Sequence, residues 1–347
     1  MTTVAEAQRL FSPETVYLNT ATYGLPPRPA HEALLAAADE WRHGRTGFWG
    51  WDESVGAARA SFARLHGVEA DDVAVGSQAS AFAALVALSL ARGARVVTAE
   101  EDFTSVLWPF LAQAGLQVQL VPLDRVAEAV DGNTALVAVS AVQSFDGRLA
   151  DLDAIEAAAA HHGALTYLDA TQAAGWLPLD AGRFDYMVAS GYKWLMNPRG
   201  TSFFAIRPDA AERLRPHLAG WYAGDDPVET NYGAPLRLAG NARRFDVSPA
   251  WLSWVGAAPA LALLEDVGIR AVHDHDVGLA NRFRAGLGMP AGDSAIVAVD
   301  LDAAAGERWR AAGVMATERS GLTRFSFHLS TSEHDVDRAL EAIQLRH

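Results

Sequence analysis

The chain has 347 residues, 50% of them hydrophobic, with 28 basic against 42 acidic residues and a net charge of −14. That length buries a large core and leaves room for a second domain, while the acidity, with no basic run, argues against nucleic acid and anionic membrane as partners. Cysteine is absent, which excludes disulfides, thiolate metal sites and a thiol nucleophile. No charged leader with an apolar core opens the chain and no apolar stretch has bilayer length, so a cytoplasmic protein is expected.

In chain order, a short helical start precedes a strand at 16–18 and the turn Asn19-Thr-Ala-Thr-Tyr-Gly24. Residues 29–43 read as a helix with Pro29 in its first turn. The aromatic, glycine-containing stretch 44–51 reads as a loop, 54–66 as a helix and 72–75 as a strand. Gly76-Ser-Gln-Ala-Ser80 then turns into a long apolar helix reaching about residue 91. From there strands at 95–98, 117–121, 135–140 and 165–169 alternate with helices at 105–114, 124–130 and 152–162. Strands at 186–189 and 201–206 follow. Apolar strands alternating with helices indicate a mainly parallel sheet covered on both faces. The stretch 207–247 is loop-rich. Ser248-Pro249 is placed to cap a helix running to residue 267. A small α+β unit follows, with strands at 294–301 and 323–329 and a last helix at 333–345.

One residue type is nearly missing: lysine occurs once, at Lys193, and every other basic residue is arginine. A guanidinium stays protonated and cannot replace an amine that must form a covalent bond. The surviving lysine follows a short apolar strand and a small-residue turn, Asp185-Tyr-Met-Val-Ala-Ser-Gly-Tyr-Lys193, and is a candidate covalent catalyst. Ser190-Gly-Tyr-Lys193 also matches the S-x-x-K pattern of serine acyl-enzymes. That chemistry needs a second lysine in a K-T-G element, and there is none. A cofactor-free lysine aldolase would leave Asp169 and Gln172 unexplained. His273 and His275 lie two apart, which on a helix turns them to different faces, so no metal site is expected there.

Parallel sheets bind ligands at the carboxyl ends of their strands. Four groups fall at such ends: Gly76-Ser77-Gln78, Phe103, Asp169 with Gln172, and Ser190 with Lys193. Together they suit pyridoxal 5'-phosphate. A helix opening at Gly76-Ser77-Gln78 can hold a phosphate, with Ser190 adding a hydroxyl. Asp169 can keep the pyridine nitrogen protonated, Gln172 can donate to the phenolic oxygen, and Phe103 offers a flat face.

At these residues the chain resembles the class V aminotransferase family of fold type I pyridoxal phosphate enzymes, whose members include cysteine desulfurases and isopenicillin N epimerase-like proteins. Asp169-Ala-Thr-Gln172-Ala-Ala-Gly matches the family's D-A-x-Q-x-x-G. Ser190-Gly-Tyr-Lys193 with Pro198-Arg-Gly200 is similar to its S-G-H-K block and the glycine loop after it. Arg324-Phe-Ser326 resembles the segment whose arginine binds a substrate carboxylate. The resemblance implies an α/β fold: a large domain at 17–247 with a mainly parallel mixed sheet, and a small domain from 1–16 and 248–347. It implies that Lys193 is the Schiff-base lysine. Ser77, Gln78, Ser190 and Tyr192 would hold the phosphate, and Ser144 would stand where relatives often carry Asn. Asn19 and Thr20 would line the substrate pocket, and Arg324 would take the α-carboxylate.

Tyr192 and Phe103 both stand where relatives commonly have histidine, so Lys193 is left as the chief acid and base. The missing thiol argues against cysteine desulfuration. Transamination of an amino acid with a 2-oxo acid ranks first. A β-eliminating lyase of the C–S type or an epimerase comes next, and a non-catalytic binding protein last. A homodimer is expected, with the 224–227 loop, Arg243 and Ser248 crossing between subunits. Phe48, Trp49, Trp51, Trp108, Trp176, Trp221 and Tyr222 suggest an aromatic wall suited to an apolar or bulky substrate.

Overall fold

The computed structural model describes residues 2–344. Its elements run α1 (Val4–Gln8), β1 (Val16–Tyr17), α2 (Arg28–Arg42), α3 (Phe48–Leu65), β2 (Val73–Gly76), α4 (Ala79–Ser89), β3 (Arg95–Ala99), α5 (Thr104–Leu111), β4 (Gln117–Val121) and β5 (Thr134–Ser140). They continue with α6 (Leu152–His162), β6 (Leu165–Asp169), β7 (Tyr186–Ser190), β8 (Ser202–Ile206), α7 (Pro208–Ala211), α8 (Trp251–Val267) and α9 (Ile269–Gly286). Last come β9 (Ile296–Val299), α10 (Ala303–Ala311), β10 (Val314–Met315), β11 (Thr317–Arg319), β12 (Leu322–Ser326) and α11 (Glu333–Gln344).

Seven strands form the main sheet in the order β2-β8-β7-β6-β5-β3-β4. The five from β7 to β4 are parallel, and β8 runs antiparallel to both β7 and β2. A parallel link needs a crossover of a dozen or more residues, usually with a helix. The link from β7 to β8 spans 191–201 and holds no helix, so the chain turns back antiparallel, and this turn carries Lys193. Alternation along β8 sends neighbouring side chains to opposite faces. Phe203 stacks on Phe62 of α3 with ring centres 4.5 Å apart, and Phe204 stacks on Phe82 of α4 at 4.7 Å. The helices α3, α6 and α8 cover one face, and α4 and α5 the other.

A second sheet, β11-β12-β9, packs with α9 and α11 around Phe283, Phe325 and Phe327. The N-terminal segment is stitched to it. β1 pairs in parallel with β10, and Asn19 bridges to Ser326. The Ala21 N–H donates to Ser326 Oγ at 2.9 Å.

Four readings of the sequence are corrected. Residues 48–53 are helical, because Phe48 packs on Trp251 (5.0 Å between rings) while Asp52 accepts hydrogen bonds from Tyr222 and the Trp251 indole. The expected helix at 124–130 is only a 3-10 turn at Leu123–Arg125, since so short a link gives a full helix too few hydrogen bonds to offset nucleation. Ser248 does not cap α8, which begins at Trp251 with no side-chain cap. The short strands β10 and β11 were not anticipated. The helix expected over 333–345 is described to Gln344, and residue 345 lies outside the described residues.

Candidate functional site

The carboxyl ends of β5, β6 and β7 and the start of α4 meet at one cleft enclosing about 560 Å³. Ser77, Gln78, Ala79 and Ser80 line it from α4, whose N-terminus has no side-chain cap and so turns its positive end to the cleft. The Ala79 N–H donates to Ser190 Oγ at 3.1 Å, tying that end to β7. Phe103 stands at the start of α5 and is 39% exposed.

Asp169 and Lys193 line the same cleft and both are buried. The Thr171 N–H donates to Asp169 Oδ1 at 2.7 Å. Burial raises the Asp169 carboxyl above its ordinary range, against the pull of Thr171 and Lys193. Burial lowers the Lys193 amine to about 7; Asp169 opposes that shift, and Arg324, Arg319 and Arg199 reinforce it. The amine lies 5.5 Å from the Phe103 ring centre and 5.7 Å from that of Tyr192.

The backbone around Lys193 is held from both sides. The Gly24 N–H donates to the Tyr192 carbonyl at 2.9 Å, and a Cβ on Gly24 would sit 1.9 Å from the Lys193 carbonyl oxygen. On the other side His328 Nε2 donates to the Trp194 carbonyl at 2.9 Å, while its Nδ1 meets Asp276 Oδ2 at 2.7 Å. The Trp194 indole donates to Gln172 Oε1 at 2.9 Å. Gln172 Nε2 donates to the Ala21 carbonyl and to Ser144 Oγ, each at 3.0 Å, so giving a proton to a cofactor oxygen requires releasing one of these.

Arg324 is not on the cleft wall but stands behind Ser144. Its Nη1 donates to the carbonyl and hydroxyl of Ser144, and its Nη2 to Thr22 Oγ1 at 2.8 Å. Nε is buried and finds no partner among the described residues. Burial and nearby Arg319 lower its pKa to about 9, so it remains a cation at neutral pH.

Ser77, Gln78, Phe103, Ser144, Asp169, Gln172, Ser190, Tyr192 and Lys193 thus share one cleft. Gly76, Asn19 and Thr20 do not line it. Gly76 lies against Phe82, Asn19 accepts from Thr317 at 2.6 Å, and Thr20 is fully buried. Ser140, Thr171 and Arg199 also line the cleft and were not singled out from the sequence. Thr171 and Arg199 sat inside the two quoted motifs. The aromatic wall is not there: Phe48, Trp49, Trp221 and Trp251 pack on one another, Trp176 is fully buried against Trp194, and Trp108 is exposed on α5. His273 stacks on Trp176 (5.8 Å between rings), and Asp276 pairs with His328.

The aminotransferase class-V family model matches residues 49–300. The chain belongs to the class V aminotransferase family. It is 30% identical over 257 residues to the uncharacterized aminotransferase YcbU of Bacillus subtilis (strain 168), a match covering 71% of this chain and 66% of YcbU, just short of two thirds of its length. It is 26% identical to the isopenicillin N epimerase of Streptomyces clavuligerus, over 98% of this chain and 96% of that one. Among solved structures it resembles the cysteine desulfurase CsdA of Escherichia coli, with a TM-score of 0.83 and 18% identity over 99% of this chain and 98% of CsdA. The family uses pyridoxal 5'-phosphate, and this chain is a pyridoxal phosphate-dependent enzyme. Its cleft fits the group: a buried amine and a buried acid face one space, with an uncapped helix start beside them.

Proposed function

We propose that this class V enzyme transaminates an α-amino acid, passing its amino group to a 2-oxo acid. The carrying observation is that Lys193 is the one amine on the cleft wall, lowered to about 7 by burial, with no histidine or thiol beside it. When bound, pyridoxal phosphate supplies an aldehyde that condenses with amines and a protonated ring that takes up electrons from the substrate Cα. Asp169 would keep the ring nitrogen protonated, which its burial and the bond from Thr171 position it to do. Ser77, Gln78, Ser190 and the α4 N-terminus would hold the phosphate, with Tyr192 beside them and Phe103 against the ring. Arg324, which stands behind Ser144 with its Nε unpartnered among the described residues, would take the α-carboxylate once Ser144 yields its place.

Lys193 Nζ would then lift the Cα proton and return it to the cofactor's C4′ on the same face, a transfer one base can perform alone. Epimerisation by two bases needs a second group on the opposite face, and the described residues lining the cleft include no histidine and no second lysine. We retain β-elimination as the second reading, because Lys193 could perform its proton abstraction equally well. The loaded enzyme's visible absorbance band should fade with an amino acid and return with a 2-oxo acid. Release of pyruvate and ammonia without need of an oxo acid would favour the lyase, and a protein that never takes up the cofactor would end both.

A homodimer is part of this proposal. Tyr232 (94% exposed) and Leu236 (78%) lie in the stretch that also holds the 224–227 loop, and apolar side chains so exposed suit a subunit contact. Light scattering at working concentration tests it. Assignment to the cytoplasm remains a proposal resting on composition.

A further inference from the structure

Around Lys193 the charges do not balance. Arg199 lines the cleft, its guanidinium 4.7 Å from the Tyr192 ring centre. Arg319 and Arg324 come from the neighbouring strands β11 and β12. In that ladder Thr317 stands opposite Arg324, and Arg319 lies two residues on, so the three share one face of the small sheet. That face packs behind the cleft: Thr317 bonds to Asn19 and Thr22, Thr22 to Arg324, and Arg324 to the cleft residue Ser144, close enough for the Arg319 charge to act on Lys193. The Nε of Arg319 is buried and without a partner. Among the described residues none of the three arginines pairs with a carboxylate, although ion pairs hold Arg59, Arg207 and Arg310 elsewhere. The cleft wall has one carboxylate, Asp169, which the proposed function assigns to the cofactor ring.

One α-carboxylate satisfies one guanidinium, and the phosphate is provided for by neutral donors at the α4 end. Arg199 stands over Tyr192 at the cleft wall, and Arg319 is left with no anion of its own among the described residues. We propose that the substrate is an α-amino acid with a second anionic group on its side chain, which Arg319 grips with Arg199 reinforcing it. Like charges gathered at a partly buried site repel one another until an anion enters, so an acidic side chain gains where its neutral twin does not. The proposal rests on the transaminase reading for the seating of the α-carboxylate and is tested separately from it.

The experiment titrates the loaded enzyme's visible band with L-aspartate, L-glutamate, L-cysteate and O-phospho-L-serine, each against a neutral counterpart: L-asparagine, L-glutamine or L-serine. At least one acidic compound should reach half-saturation at a concentration lower by about 10- to 100-fold, the range a charge-assisted contact supplies. Arg319→Gln should abolish that preference, bringing acidic and neutral compounds to equal half-saturation, with Arg199→Gln reducing it less. The preference should also weaken as salt rises. Equal half-saturation for acidic and neutral compounds, or a preference that survives Arg319→Gln, overturns the inference and leaves transamination standing. A band that no amino acid disturbs overturns both.

Discussion

Replacing Lys193 by methionine is expected to stabilise the cofactor-free protein, by an amount that shrinks as pH rises. Burial takes this amine from its ordinary 10.5 down to about 7. Between those values the unfolded chain carries a proton that the folded chain has lost. Stability therefore rises with pH across the window, by about 1.4 kcal/mol per unit, and the burden is greatest below pH 7. The parent carries a cost of about 4 kcal/mol at pH 7 and about 2 kcal/mol at pH 9. Methionine is of similar length and cannot charge, so it removes the cost at both. Urea unfolding of parent and variant at the two pH values isolates it, because the remaining titrating groups are common to both proteins. A gap that does not change with pH, or a parent more stable than the variant at pH 7, would refute the reasoning.

Three other substitutions probe the frame of the site. Asp246 is fully buried, accepts bonds from Arg59 at 3.2 and 2.7 Å and from the Val75 N–H at 2.7 Å, and so braces β2 just before the Ser77 turn. Asp246→Ala should cost about 3–5 kcal/mol in urea unfolding by leaving Arg59 buried and unpaired, and a loss below about 1 kcal/mol would contradict this. Gly24→Ala should drive the Lys193 peptide out of place and weaken cofactor retention about tenfold or more, measured as absorbance left after dialysis; full retention would count against the contact. His328→Leu strands Asp276 and frees the Trp194 carbonyl, so it should cost about 3 kcal/mol and shift the pH dependence of the visible band, with His328→Gln restoring part of both.

The residues most legible from the sequence were those marked by rarity or by a strand end. Lys193 stood out because no other lysine competes with it, and Asp169 because it closes an apolar run. The parallel core was legible for the same reason, since buried strands read as continuous apolar stretches. The reversal of β8 was not, because Ser202–Ile206 is equally apolar in either direction and only the missing crossover helix betrays it. The start of α3 was hidden by Gly47 and Gly50. Its aromatic residues are held by Trp251 and Trp221, some two hundred residues away, and no local pattern reports such contacts. Arg319 was invisible for a related reason: it comes near Lys193 only after β11 pairs with β12 and the N-terminal turn docks on both.

That docking sets an order of events during synthesis. Residues 18–22 are made about 300 residues before their hydrogen-bonding partners Thr317, Arg324 and Ser326. The central sheet can form while the opening segment still waits, and the turn that holds the Lys193 peptide in place cannot dock until translation has passed residue 326.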